Sequence, residues 1–471
     1  MQRNRQCWRS TPLFVVVALA SVPEVARAQV TVDELQRELA SLRREMQQLR
    51  AEVESLKSGT SPGVAGAHIV DGSVQQEPVL PPPLHPDDTD QRARAPQVPP
   101  DMMAAQIAEL ARVKVESGSK MPVRLFGTLH ASAFFNSGEA NWLDNPNIVA
   151  PRPQNEPTGS FSMGLRQTRL GLAVDGPTLS GMRTSGQVVA DFFGGIPGFQ
   201  TGQTIPLPRL LVAFARLETG RTAVEIGQDH VVLAPRDPTS LAAFAFPSLF
   251  RSGNLYLRAP QIRVEQAIGA KVRATGALIA PIGGDVPGED YRFVPPALPG
   301  ERSRRPAFEA RVAVDSTTDA DAARRAGVAL SGHYGSERRA TGIANAWAAA
   351  VDFGARRDWI GVAGELFSGR NVDAFGGATG LDARAAGGWG ELQLFASSRL
   401  TFNGGIGIDD LRDLPATAIL RRRNRSAYGN VIVSLSPEVQ GSFEYRWLGT
   451  LPGTGSERAN HHFDLVLTYK F

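Results

Sequence analysis

The chain has 471 residues, of which 42% are hydrophobic and 21% are charged, and it contains 48 Gly, 33 Pro and one Cys. This apolar content excludes a mainly disordered chain. The formal net charge of +3 belongs to residues 1–28, which hold four Arg and one Glu; without them 46 basic (50 − 4) and 46 acidic (47 − 1) side chains remain. A chain balanced in this way is not expected to bind nucleic acid.

Residues 1–28 have the pattern of a secretory signal peptide. Three Arg precede the short apolar run Leu13–Ala20, and the small-x-small sequence at 26–28 is a cleavage site. The apolar run is far shorter than the roughly 20 residues of a membrane-spanning helix. Cleavage removes Cys7, so the exported chain has no thiol for a disulfide, for catalysis or for metal binding.

Residues 29–58 carry a heptad repeat typical of an α-helical coiled coil. Apolar side chains fill the a and d positions of four heptads: Val32, Leu35, Leu39, Leu42, Met46, Leu49, Val53 and Leu56. Glu at the g positions precedes Arg or Lys at the following e positions, which favours a parallel oligomer. The alternative is a single amphipathic helix packed on its own domain. The mixed a positions do not decide between a dimer and a trimer.

Residues 121–471 are predicted to form a transmembrane β-barrel, separated from the coiled coil by a Pro-rich linker over 59–120. Apolar and polar side chains alternate in about sixteen segments, two of which cover 161–174 and 261–266, and long and short connections alternate between them. After the signal no long apolar run occurs, so a closed barrel is the remaining way to cross a bilayer with every backbone group paired. The predicted fold class is all-β: a 16-stranded antiparallel transmembrane β-barrel preceded by an N-terminal α-helical coiled coil.

Aromatic side chains near the predicted strand ends indicate an interfacial girdle. They are Trp347, Trp359, Trp389, Tyr428, Trp447, Tyr469 and Phe471.

The C-terminus resembles that of Gram-negative outer-membrane proteins, whose terminal Phe marks the last strand for barrel insertion; here this residue is Phe471. Sixteen strands with the longest early connection at 229–260 resemble the general porins, in which the third outer loop folds into the lumen and narrows it. A coiled coil ahead of such a barrel is similar to the dicarboxylate-channel (DcaP-like) trimeric porins.

Short motifs carry the resemblance to the DcaP-like group along the early strands. They are Arg124–Gly127, Arg166–Gly171, Ala190–Phe192 and Gly227–Gln228, with His130 standing where Arg is expected. The likeness covers nearly the whole mature chain. It implies trimers that pass small anionic nutrients.

Strand alternation predicts which charged side chains face the pore. The predicted pore-wall residues are Arg124, His130, Arg166, Arg169, Asp191, Arg263, Lys271, Arg273 and Arg311, and the later strands add the carboxylates Glu309, Asp352, Glu365, Glu391 and Glu444. Arg166 and Arg169 differ in parity, so both face inward only if a bulge intervenes.

The third loop supplies the candidates for the pore constriction. They are Asp229, His230, Arg236, Asp237 and Arg251. Opposed charges on the loop and the wall would select ions by their charge. For any single Arg, the alternative is an ion pair that only supports the wall.

The sequence therefore predicts an outer-membrane porin, a passive diffusion channel for small hydrophilic solutes that prefers small anions such as dicarboxylates. Expected partners are outer-membrane lipids, further copies of the chain in a homotrimer and small anionic solutes, with the coiled coil in the periplasm. We expect no metal, since the adjacent His461 and His462 point opposite ways on a strand. We also expect no cofactor and no enzymatic activity, because the sequence has neither a Gly-rich phosphate loop between a strand and a helix nor a nucleophile elbow. The alternatives are an anchor whose stalk links the outer membrane to the periplasm or cell wall, and a trimeric adhesin with only a few strands per chain.

Overall fold

Eighteen β-strands are found in the computed structural model, which describes residues 122–196, 204, 206–282, 297–316, 324–340, 342–380, 382–413 and 419–471. They are β1 (Val123–Asn136), β2 (Ser160–Gly164), β3 (Arg169–Asp175), β4 (Arg183–Asp191), β5 (Arg209–Thr219), β6 (Thr222–His230), β7 (Arg258–Ile268), β8 (Val272–Ile279), β9 (Ala307–Asp315), β10 (Arg324–Arg339), β11 (Gly342–Arg357), β12 (Ile360–Arg370), β13 (Thr379–Gly380), β14 (Arg384–Phe395), β15 (Leu400–Leu411), β16 (Ile419–Ser434), β17 (Val439–Pro452) and β18 (Arg458–Lys470). The predicted signal peptide, the coiled coil Val32–Leu56 and the linker lie outside the described residues.

Helical structure in the described ranges is short. It consists of one α-helix, α1 (Pro299–Arg302), and one 3₁₀ turn (Asp373–Phe375). None of these described helices is long and apolar enough to cross a membrane.

The strands form one closed antiparallel sheet. Neighbouring strands pair in chain order, and β1 pairs with β18 across the seam from Thr128–Lys470 to Asn136–His462. Strands β2 and β3 both pair with β1 and together make one span, whereas the two-residue β13 pairs only with β16 and is not a span. The barrel therefore has sixteen spans among the described residues, which confirms the predicted barrel.

A break at residues 165–168 divides the strand that the sequence predicts over 161–174. The N–H of Thr168 donates to the carbonyl of Leu165 at 2.9 Å, which closes a tight turn between β2 and β3. This turn resets the alternation of side chains along the span. Arg166 and Arg169, which differ in parity, therefore both reach groups inside the barrel.

The outer face of the barrel is apolar and exposed. Leu125 on β1, Phe161 on β2 and Leu465 on β18 are 67%, 70% and 61% exposed. The opposite face of the strands carries polar side chains and small residues, which is the arrangement expected for a lipid-facing band around a wet interior.

Two aromatic residues of the predicted girdle are on the inner face instead. Trp389 and Tyr428 are only 3% and 5% exposed, and their polar atoms donate to wall carboxylates of Glu365 and Glu391. The prediction was wrong for this pair because aromatic residues occur on both faces of these strands. Trp359, at 64% exposure, does lie on the surface.

The connections differ in length at the two ends of the barrel. One end carries the longer loops L1 (137–159), L2 (192–208), L3 (231–257), L4 (280–306) and L6 (371–383). The other end carries short turns, such as 220–221 and 269–271. The exception on the long-loop end is L5 (340–341), a short connection between the long strands β10 and β11.

Candidate pore constriction

L3 lies inside the barrel, and wall carboxylates bind its backbone. The Glu309 carboxylate on β9 accepts the main-chain N–H groups of Val232 and Leu233 at 2.5 and 2.9 Å. It also lies 3.1 Å from His333 Nδ1 on β10. Because an ionised carboxylate is a strong acceptor in a low-dielectric site, this contact fixes where L3 enters the lumen.

Further carboxylates hold L3 as it crosses to the late strands. Glu391 on β14 accepts the Thr239 hydroxyl at 3.0 Å, and Glu444 on β17 accepts the Ser240 hydroxyl at 2.5 Å. The Asn430 amide on β16 donates to the Thr239 carbonyl at 2.9 Å. The acidic wall residues predicted from alternation therefore face inward, but these two are used to anchor the loop.

The early strands complete the set of L3 anchors. His130 Nε2 on β1 lies 2.8 Å from the Leu241 carbonyl oxygen, and the His130 side chain is fully buried. The Gln167 amide, in the break between β2 and β3, donates to the Ala242 carbonyl at 3.1 Å and accepts the Phe244 N–H at 2.8 Å. His130 thus binds a loop backbone and is not an open pore-wall group.

L3 and L6 share an apolar core on one side of the lumen. Val231 and Leu255 of L3 pack in the same cluster as Val372 and Phe375 of L6, and wall residues such as Phe367 close it. All of these side chains are 5% exposed or less. An apolar core of this kind excludes water, so this part of the lumen is closed to hydrophilic solutes.

L1 supports L3 from the long-loop end. Asp144 of L1 accepts the Arg166 guanidinium at 2.6 Å through Nε. The Trp142 ring stacks on Phe246 of L3 with centroids 4.6 Å apart, and Arg251 lies over Trp142 at 5.5 Å. The predicted residues Arg166 and Arg251 therefore join L1 to the wall and to L3.

A cluster of charged side chains lines the open side of the constriction. Arg258, the first residue of β7, lies directly opposite His230 in the β6–β7 register. Arg169 on β3 donates to the carbonyl oxygen of Phe244 in L3. Asp237 of L3 lies 3.8 Å from His230 Nε2, and its side chain is 39% exposed.

The carboxyl group of Asp237 in this cluster has an unusual pKa. Enclosure between the barrel wall and L3 removes much of the water around Asp237 and raises its pKa to about 6, although part of the side chain stays accessible; the attraction of Arg258 and Arg169 opposes this rise. Burial also raises the pKa of the neighbouring Tyr256, whose ring lies 5.7 Å from the Arg258 guanidinium. The cluster therefore combines two arginines that have no ion-pair partner in the described chain with one carboxylate that titrates near neutral pH.

Other predicted wall residues form ion pairs within the barrel. Arg263 binds Asp229 at 3.1 Å and Glu225 at 2.7 Å. Asp191 binds Arg209 through two contacts of 2.6 and 3.1 Å. These pairs neutralise Asp229 and Asp191, so neither offers a free charge to a solute.

Arg236 and Arg311 share one carboxylate. The Asp352 oxygens accept Arg236 Nε at 2.5 Å and Arg311 Nη2 at 2.8 Å. The Asp352 side chain is fully buried, and two guanidinium groups surround it. This shared site links L3 to β9 and β11.

Three of the predicted wall residues lie at the short-turn end. Arg124 is 71% exposed and 3.9 Å from Asp175. Arg273 is exposed near the start of β8, on the same face as the buried Ala277. Lys271 is in the turn 269–271, outside both strands, because Gly269 adopts a positive φ of 69° and starts a tight turn there.

Sequence reasoning missed Arg209, Arg258 and Tyr256. Arg258 was outside the predicted strand 261–266, which in fact begins at this residue. Arg209 could have been found from its partner, since it lies directly opposite Asp191 in the β4–β5 register. Tyr256 lies in L3, where strand alternation gives no information about side-chain direction.

A closed sixteen-span antiparallel barrel with a loop folded into its lumen has the architecture of the outer-membrane porins. The outer-membrane channel DcaP of Acinetobacter baumannii shares this fold with a TM-score of 0.59 and 15% identity, covering 75% of this chain and 99% of that one. An anion-selective porin from Comamonas acidovorans gives a TM-score of 0.50 and 12% identity, covering 75% of this chain and 100% of that one. No family model and no curated protein sequence matches the chain. At these identities the likeness establishes the fold, and at that level the predicted resemblance to DcaP-like porins is confirmed.

Proposed function

We propose that the protein is a passive diffusion channel of the bacterial outer membrane for small hydrophilic solutes, with a preference for small anions such as dicarboxylates. We further propose that it works as a homotrimer, with the coiled coil in the periplasm. Native mass measurement of the purified protein in detergent tests the assembly, and we expect three chains. A monomer would contradict this part of the proposal.

The charge of the open path supports the anion preference. Wall carboxylates such as Glu309 and Glu391 are bound by L3. Arg169 and Arg258 remain beside the open path with Asp237 as the nearby acid. A surplus of positive charge in a narrow low-dielectric passage attracts anions and repels cations.

The anion preference is tested by the reversal potential of purified protein in a planar bilayer under a KCl gradient. We expect the wild type to favour chloride, and Arg258→Gln to lower the chloride-to-potassium permeability ratio by about twofold or more. Arg357→Gln is the matched control, because Arg357 is exposed and lies on the outward-facing side of β11. A cation-selective wild type would contradict the proposal.

A further inference from the structure

A second group of arginines lies in the lumen, between L3 and the short-turn end of the barrel. Arg325 on β10 and Arg356 on β11 are direct cross-strand partners. Both share strand parity with buried inward-facing residues, Ala329 on β10 and Asp352 on β11. Two like charges directly opposite each other on one face destabilise a sheet unless something compensates them.

A third guanidinium from L3 approaches the same place. A Cβ added at Gly354 would lie 2.8 Å from Arg236 Nη1, so the Arg236 guanidinium occupies the space above Gly354. Gly354 lies two residues before Arg356 on the same inner face of β11. The missing side chain at Gly354 therefore allows Arg236 to lie beside Arg356. We call Arg236, Arg325 and Arg356 the arginine clamp.

The clamp opens on a cavity of about 550 Å³. Besides the three arginines, the cavity is lined by Asp237, Thr239, Asp315 and Gln393. Its volume falls within the range of small-molecule sites, which is about 300–1,000 Å³. With Asp352 and Arg311, which form ion pairs next to Arg236, the region holds four guanidinium groups and three carboxylates, an excess of one positive charge.

Two of the clamp arginines, Arg325 and Arg356, are not neutralised by the residues around them, whereas Arg236 is paired with Asp352. Within the described part of the chain, neither Arg325 nor Arg356 forms an ion pair, and Arg356 Nε is buried without a hydrogen-bond partner. The Arg356 guanidinium stacks on the Phe395 ring at 3.6 Å, which fixes its plane and leaves its edge free. A planar guanidinium held in this way is suited to bind a carboxylate or phosphate through two hydrogen bonds.

We propose that the arginine clamp binds a small dianion, with carboxylate or phosphate oxygens bridging Arg325 and Arg356, as a second site in series with the constriction. Asp237 connects the two sites, because it lies 3.8 Å from His230 and also lines the cavity. An anion that passes the constriction from the long-loop end therefore meets the clamp before it leaves the barrel. This inference rests on the proposed anion channel and adds a binding site to it.

The clamp is tested first by measuring, in single-channel recordings, how long a solute stays bound in the channel. Succinate and inorganic phosphate are added in turn from each side of the bilayer, and the interruptions of the ion current are timed. We expect Arg325→Gln/Arg356→Gln to shorten the interruptions about a hundredfold, since each of the two lost charge-assisted hydrogen bonds weakens binding by about tenfold. Arg357→Gln should leave them unchanged. Shortening for one probe alone assigns the site to carboxylates or to phosphate.

Thermal unfolding in detergent gives a second readout that does not depend on transport. In buffer free of multivalent anions, Arg356→Gln should unfold at a higher temperature than the wild type, because the like-charge pair is relieved. Added succinate or phosphate should raise the unfolding temperature of the wild type and leave that of the variant unchanged. If succinate or phosphate raises the unfolding temperature of both proteins equally, the clamp is not the anion-binding site.

The two proposals fail in different ways. A cation-selective wild type would overturn the proposed function and the clamp with it. An anion-selective wild type whose current interruptions are the same in Arg325→Gln/Arg356→Gln would overturn the clamp alone.

Discussion

At the scale of single residues, strand parity predicts the direction of a side chain but not what it contacts. Alternation placed Glu309, Glu391 and Glu444 on the inner face, and the structure agrees. Their partners are backbone N–H groups and hydroxyls of L3. Every residue except Pro has a backbone N–H, so the sequence does not indicate which of them a wall carboxylate binds. For this reason the wall could be predicted, whereas the division between anchoring acids and free arginines could not.

The pH dependence of selectivity should come from Asp237. Its pKa of about 6 means that the carboxylate is ionised at pH 7.5 and gains a proton as the pH falls through 6. The constriction then loses its negative charge beside Arg169 and Arg258. We expect the chloride-to-potassium permeability ratio to rise by roughly twofold between pH 7.5 and pH 5.

Two variants separate this effect from other titrating groups. Asp237→Asn should show the high ratio at every pH in this window. Asp382→Asn is the control, because a hydrogen bond from Arg370 lowers the pKa of Asp382 and keeps it ionised throughout. If the permeability ratio of Asp237→Asn still rises as the pH falls, another group is responsible.

At the scale of elements, the strands were predictable and the loop path was not. Period-two alternation and turn spacing located all sixteen spans, although it merged β2 and β3 across the break at 165–168. Gln167 lies in this break, and its amide binds L3 on both its donor and acceptor sides. Such a contact links residues about 75 positions apart, and no local pattern encodes it.

Removing one L3 anchor should loosen the loop. In Glu309→Gln, a neutral amide oxygen replaces the carboxylate oxygen Oε2, which accepts both N–H groups from L3. We expect the free energy of unfolding to fall by about 1–3 kcal/mol, because two hydrogen bonds to a neutral acceptor contribute less than two to a charged one. Single-channel current should become larger and noisier.

A matched carboxylate shows whether the effect is specific to the anchor. Glu438 lies in the short turn 435–438, where it accepts the Ser436 hydroxyl at 2.8 Å and is exposed. Glu438→Gln should leave both stability and current noise unchanged. Equal losses in the two variants would mean that L3 does not depend on Glu309.

At the scale of the whole molecule, the barrel depends on the seam between its first and last strands. Phe471 closes this seam with two backbone hydrogen bonds to Gly127, of 3.0 and 3.2 Å. The Phe471 ring also covers Gly127, where an added Cβ would lie 2.6 Å from the ring. An aromatic ring over a strand glycine is a known way to stabilise a sheet edge.

We therefore expect Phe471→Ala to reduce the fraction of chains that reach the folded barrel by several-fold. The ring contact that helps β18 find β1 is lost, while the backbone hydrogen bonds can still form. The measurement is the proportion of protein that shows the heat-dependent gel mobility of a closed barrel. Phe443→Ala is the control, since Phe443 is an outward-facing aromatic on β17, away from the seam. Equal yields from the two variants would contradict a special role for Phe471.

The anchors of L3 also impose an order on assembly. The loop contacts β1 through Leu241, 111 residues from His130, and β17 through Ser240, 204 residues from Glu444. These strands become close neighbours only when the seam shuts, so the last anchors of the loop form after the wall is complete. Contacts between such distant positions form slowly, because a large loss of chain entropy precedes them. The expected last folding intermediate therefore has a closed barrel in which L3 is not yet bound to all its anchors. Such an intermediate would conduct ions before it could discriminate between them.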